Sequence, residues 1–134
     1  MTITYKIPGE PKGKARPRVT KGHAYTPQAT KDYETIVALR YRLSGGKMFD
    51  GAVSLHILAE YTIPKSATKG KRRDMIEGTM LPLKKPDNDN IAKMIMDGLN
   101  KVAYHDDSQV AELVVLKKYS ENPSVTVTIS SIEC

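Results

Sequence analysis

The sequence predicts an α+β fold. A single small domain should hold a mixed sheet of about four strands, packed with two main helices and with a long basic loop before the second helix. The observations behind this are segments with period-two alternation, two stretches with helical spacing, and the order β-loop-α-β-loop-α-β-β. At 134 residues the chain is long enough for one core and too short for two.

Taken in order, residues 2–7 alternate polar and apolar with β-branched side chains and read as a strand. Residues 8–22 are rich in Pro, Gly, Lys and Arg, with Lys12, Lys14, Arg16 and Arg18 at every second position. If that stretch is extended, the four cations point the same way, either as a DNA contact or as a solvated loop. Thr26-Pro27 looks like an N-cap and first helical residue. Tyr33, Ile36, Val37, Arg40, Tyr41 and Leu43 then mostly keep helical spacing until Ser44-Gly45-Gly46, and Tyr33 and Tyr41 are expected in the core or half-buried rather than stacked on bases. Residues 52–63 form a strand with Val53, Leu55, Ile57 and Ala59 on one face and His56 on the other.

Residues 64–86 show no period and carry Lys65, Lys69, Lys71, Arg72, Arg73, Lys84 and Lys85, which predicts a mobile basic flap on DNA. From Asn88 to Lys101, Ile91, Met94, Ile95, Gly98, Leu99 and Val102 make one helical stripe. Strands follow at 110–119 and 123–132, with Asn122-Pro123 between them as the turn of a hairpin.

The net charge is +6, and it is unevenly spread. Residues 1–22 hold six Lys or Arg against one acid, and residues 64–86 hold seven against two, so the remainder is net acidic. Such clustering favours a nucleic-acid footprint over a uniformly basic surface. The single cysteine, Cys134, gives no sign of an oxidising compartment. No apolar run has the length of a membrane span and no secretory signal is present, so a cytoplasmic protein without a membrane partner is expected. With no Trp and one Phe, base stacking would fall to the seven Tyr.

Against this basic background stand Asp87-Asn88-Asp89-Asn90 and Tyr104-His105-Asp106-Asp107. One aspartate before a helix is adequately explained as a cap. Asp87 and Asp89 in an extended lead-in would point to one side and repel unless a cation lay between them. Asp89, Lys93 and Asp97 are spaced i, i+4, i+8 on one helix face: an exposed ion-pair ladder, or a basic group one turn from cation-holding carboxylates. An EF-hand is excluded, since Ile91 and Ala92 stand where its third ligand and glycine belong. No glycine-rich phosphate loop, His/Cys metal set or Ser/His/Asp signal accompanies the acids.

The pattern D-x-D-N-x-x-K-x-x-x-D-x-L followed by Y-x-D-D-x-Q-V resembles the RusA-type Holliday junction resolvases of bacteria and prophages. Here it comprises Asp87, Asp89, Asn90, Lys93, Asp97 and Leu99, then Tyr104, Asp106, Asp107, Gln109 and Val110. Lys14–Arg18 (K-x-R-P-R) and Tyr25-Thr26-Pro27 are also similar to phage-borne members, and the likeness covers nearly the whole chain.

The resemblance implies a homodimeric endonuclease that cuts four-way junction DNA with Mg²⁺, or Mn²⁺ in its place, and acts on no small molecule. It implies that Asp87, Asp89 and Asp107 hold the metal, with Asp106 in support and Lys93 as an essential basic residue. Lys12, Lys14, Arg16, Arg18, Lys69, Lys71, Arg72 and Arg73 would hold the junction arms. A helix from Asn90 to Lys101 is roughly 18 Å long. The six steps on to Asp107 reach at most about 20 Å. Asp107 therefore joins the other acids either by a nearly straight return or from the partner subunit. The rival readings are a non-catalytic basic DNA-binding phage protein, and a nucleotidyltransferase or phosphatase acting on a small substrate. Aspartates on a DNA face argue against the first, and the two basic segments against the second.

Overall fold

The computed structural model describes residues 1–14 and 18–132, apart from the side chains of Arg18 and Thr20. Its main sheet contains β1 (Thr2–Pro8), β4 (Val53–Thr62), β5 (Val110–Ser120) and β6 (Ser124–Ser131), in the spatial order β1-β6-β4-β5. The small strands β2 (Arg18–Thr20) and β3 (His23–Tyr25) pair only with each other. The helices are α1 (Gln28–Leu43), α2 (Lys69–Glu77) and α3 (Asn88–Leu99), with a 3₁₀ turn at Asp107–Gln109. This is the α+β domain with a mixed four-stranded sheet that the sequence predicts, with one helix more.

Alternation along the strands sets one apolar face of the sheet. Ile3, Tyr5 and Ile7 of β1, Val53, Leu55, Ile57, Ala59 and Tyr61 of β4, and Val125, Val127 and Ile129 of β6 are buried together. Against them pack Tyr33, Val37 and Tyr41 of α1 and Ile91, Met94, Ile95 and Leu99 of α3. Tyr41 meets Tyr5 edge to face at 5.7 Å between ring centroids. The α1 stripe is narrower than its spacing suggested: Ile36 and Leu43 face solvent. The helix also opens one residue later than expected, with Pro27 rather than Thr26 at the N-cap and no side-chain cap.

The expected hairpin between the last two strands does not form. β6 pairs antiparallel with β4 on one side and β1 on the other, while β5 runs parallel to β4 along its far edge. The connection at 121–123 therefore passes over the end of β4. A fully paired position suits β6, whose buried residues need a neighbour on both sides, whereas β5 has only Val110, Val115 and Tyr119 packed against the core.

The segment at 64–86 is not a continuous loop either. The Thr68 hydroxyl accepts the Lys71 amide to open α2, and Gly78 ends it in the left-handed conformation at φ 86°. Only Met75 of this helix is buried, which leaves no apolar period to read.

Helix α3 lies close to α1 because Gly98 has no side chain. A Cβ there would stand 2.7 Å from Val37 Cγ1 and 3.2 Å from the Glu34 carbonyl oxygen. Overpacking a tight core contact costs about 1–3 kcal/mol, and exchanging Gly for Ala inside a helix returns at most about 1 kcal/mol. Gly98→Ala should therefore lower stability by about 1–2 kcal/mol in urea denaturation. An unchanged midpoint in the variant would mean that the helices separate without cost.

Candidate active site

Helix α3 has two faces with different duties. Ile91, Ala92, Met94, Ile95, Gly98 and Leu99 are buried, and the opposite side presents Asp89, Lys93 and Asp97. These three line a cavity of about 270 Å³ together with Ala92, Met96, Asp107 and Leu113. The i, i+4, i+8 spacing read from the sequence thus becomes one wall of a cleft. Lys93 is 64% exposed and its ammonium stands 4.0 Å from Asp97 Oδ2.

The opposite wall comes from the turn after α3. The helix ends at Leu99, two residues earlier than the apolar stripe suggested, and Lys101 adopts φ 67° as the chain reverses. The Lys101 amide donates to the Tyr104 carbonyl at 2.8 Å, and the buried Tyr104 hydroxyl donates to the Met96 carbonyl at 2.7 Å. Burial raises the Tyr104 phenol well above its ordinary pKa, so it remains a donor. Gln109 then fixes the acidic turn. Its amide nitrogen donates to the Phe49 and Gly51 carbonyls, each at 2.9 Å, and its oxygen accepts the His105 and Asp106 amides. Asp107 thereby reaches the cleft beside Asp89 within one chain.

Two of the predicted acids lie elsewhere. Asp87 is the N-cap residue with extended backbone, but Asp89 is already helical, so the alternation argument that pointed both to one side does not apply. The Asp87 carboxylate is bonded to Lys85 at 2.8 Å and is not in the cavity wall. That hydrogen bond, with the charges of Lys85 and Lys117, holds its carboxyl below the usual range. Asp106 caps the 3₁₀ turn by accepting the Ser108 amide, and the Ser108 side chain and then that amide lower its carboxyl too. Among the described residues, no three His, Cys, Asp or Glu side chains converge as a ready-made metal cluster.

The lead-in to the helix is anchored from behind. The Tyr61 hydroxyl, its pKa raised to about 12 by burial and then by Glu10 and Asp87, donates to the Pro86 carbonyl at 2.7 Å. Asn88 Nδ2 donates to the Val115 carbonyl at 3.3 Å. The ammonium groups of Lys84 and Lys117 lie over the Tyr61 ring, 5.7 and 5.1 Å from its centroid.

The predicted basic arrays are partly dismantled. The Lys14 ammonium is only 15% exposed and is bonded to Glu34 and to Asp97, the latter at 3.0 Å, so it is not a free phosphate contact. Burial would lower its pKa, but the bonds to Glu34 and Asp97 outweigh that and raise it. Lys12 is exposed, with its nitrogen 5.8 Å from the Tyr33 ring centroid. Arg16 lies outside the described residues, and Arg18 is described only as part of the β2 backbone. Lys69, Lys71 and Arg73 are exposed on α2, and half-buried Arg72 reaches Glu121 at 3.4 Å. Asp97 and Gln109 stand in the sequence pattern without a site role, because the partners that place them are remote in the chain: Lys14 for Asp97, and the Phe49 and Gly51 carbonyls for Gln109.

The comparison with known families bears on this cleft directly, since residues 8–130 match the family described as Endodeoxyribonuclease RusA. The chain belongs to the RusA endodeoxyribonuclease family. It is therefore a member of a DNA-cutting enzyme family, as its resemblance to the RusA-type junction resolvases implied. The match takes in every element from the end of β1 to β6, and hence the whole cleft. A relative in Bacillus subtilis (strain 168), named uncharacterized protein YqaN, is 36% identical over 139 aligned positions, covering 97% of this chain and 96% of that protein. Among the described residues of this RusA-family chain, no helix is long and apolar enough to cross a membrane.

Proposed function

We propose that this protein resolves four-way DNA junctions by divalent-cation-dependent hydrolysis, working as a homodimer. The observation that carries the reading is that Asp89, Lys93, Asp97 and Asp107 line one cavity, in a RusA-family protein of net charge +6. The donor set is all carboxylate oxygen, which suits Mg²⁺ or Mn²⁺. Mg²⁺ keeps several waters and takes one or two carboxylates plus substrate phosphates, so a closed protein cage is not needed. Asp89 and Asp107 are the residues assigned to hold it, while Asp87 and Asp106, turned to Lys85 and Ser108, support the two walls. A bound cation supplies a more acidic water and neutralises charge on the leaving oxygen. Lys93, exposed and only loosely held by Asp97, meets a non-bridging phosphoryl oxygen and stabilises the charge that grows there.

The direct test is cleavage of a synthetic four-way junction against linear duplex, with Mg²⁺ and with chelator. Asp89→Asn and Asp107→Asn should abolish cutting while junction binding persists or tightens, because each removes negative charge from a DNA-facing site. Lys93→Ala should cost about 10²–10³ in rate with little change in stability. Near wild-type cutting by either asparagine variant would remove the cation assignment.

The arms of the junction are assigned to Lys12 and to the exposed cations of α2. Replacing Lys71, Arg72 and Arg73 together by Ala should weaken junction binding and flatten its salt dependence, the log–log slope falling by about one for each phosphate no longer neutralised. An unchanged slope would mean these charges are only solvated surface.

Paired symmetrical incisions in a two-fold junction call for two sites related by a two-fold axis, which a C2 dimer supplies. Sedimentation equilibrium should therefore return a dimer at micromolar concentration. A monomer both alone and on junction DNA would rule out the symmetrical mechanism.

A further inference from the structure

We propose that Lys14 is a positioning residue, which occupies Asp97 so that Lys93 remains free to meet the substrate phosphate. The inference rests on the catalytic role given to Lys93 above. Both lysines approach the same oxygen, Asp97 Oδ2, but Lys14 lies at 3.0 Å and Lys93 at 4.0 Å. The nearer cation is sheltered at 15% exposure, and the farther one is 64% exposed.

Lys14 cannot readily leave that place. Its ammonium is also bonded to Glu34 on α1, and its backbone amide donates to the Asn90 carbonyl of α3 at 3.0 Å. Gly13 beside it passes so close to α3 that a Cβ would meet Pro86 Cβ at 2.7 Å and Asn90 Cβ at 3.1 Å. The backbone at 13–14 is thus laid against the opening of the catalytic helix, and the side chain is held between two carboxylates.

Consider the same cleft without the Lys14 charge. Asp97 is 27% exposed and, among the described residues, would keep Lys93 as its ion-pair partner, at the i, i+4 spacing where helical ion pairs form readily. A half-buried carboxylate deprived of its partner gains most from recruiting another. Lys93 would be drawn from 4.0 Å into full contact and away from the space where phosphate must lie. In this arrangement Lys14 satisfies the carboxylate, and Lys93 is left for the substrate.

The experiment compares K14M, K14R, D97N and the double variant K14M/D97N. In K14M, kcat for junction cutting should fall about tenfold while KM changes little. Removing the carboxylate that captures Lys93 should undo this, so K14M/D97N should cut about threefold or more faster than K14M, a coupling that a double-mutant cycle reads directly. K14R, whose guanidinium can fork to both carboxylates, should stay close to wild type.

A second readout needs neither metal nor DNA. By ¹⁵N NMR, the Lys93 ammonium protons should exchange with water about threefold more slowly in K14M, and return to the wild-type rate in K14M/D97N. Should K14M unfold, Lys14→Gln, neutral and still able to hydrogen-bond, should give the same two results. A double variant no better than K14M, or Lys93 exchange unaltered in the folded charge-free variant, would overturn the proposal and leave Lys14 a purely structural strut. An inactive wild-type protein would instead defeat the nuclease reading, while the NMR comparison would still report on the Lys14–Asp97–Lys93 linkage.

Discussion

The cleft exists because α3 can be buried along one side without surrendering the other. Its apolar residues face the sheet and α1, and Gly98 allows the two helices to approach to the distance at which Val37 fills the gap. With the helix held that closely, its rotation about its own axis is fixed. The rotation decides where Asp89, Lys93 and Asp97 stand. A larger residue at 98 would push the helix outward and turn the polar row relative to Asp107, which is held by a different set of bonds through Gln109. Packing in the core and geometry in the cleft are therefore one constraint.

Charge is organised with similar economy. A basic surface favours a polyanion, yet the cleft itself is acidic, and the protein separates the two by pairing its cations selectively. Lys85 is turned to Asp87, Lys14 to Glu34 and Asp97, and Arg72 to Glu121. Lys93, which lines the cavity, stands 4.0 Å from Asp97 and is held more loosely than these. Cations that could simply have been counted as phosphate contacts are instead divided between holding the architecture and remaining exposed.

Much of this is legible in the sequence, and the exceptions share a cause. The strands at β1, β4 and β6 are visible because Ile3, Val53 and Val125 each begin a run with period two. α3 is visible because its buried stripe is continuous. Alternation shows that one face of a strand is covered but not which strands lie beside it, so the place of β6 between β1 and β4 is hidden. Helix α2 lacks a stripe, since Met75 alone is buried, and only its caps, Thr68 and Gly78, mark it. Asp87 departs from expectation because strand geometry does not carry across a helix start. The motif gives the cleft residues by type, while Lys14 and Gln109 owe their roles to partners far away in the chain, which spacing cannot report.

The position of β6 has a consequence for how the protein comes into being. The strand made last in the sheet is also the one that hydrogen-bonds β1 into it: Thr2 pairs with Ser130 and Pro8 with Ser124, while the other edge of β6 serves β4. On a ribosome, β1 emerges first and then waits through the synthesis of all three helices with no strand to bind. Local segments such as α1 can form meanwhile and β4 can pair with β5, but β1 does not join the sheet until Ser124–Ser131 clears the exit tunnel. A nascent chain stalled after Asp107 but before that point carries the acidic residues while the sheet behind them is incomplete.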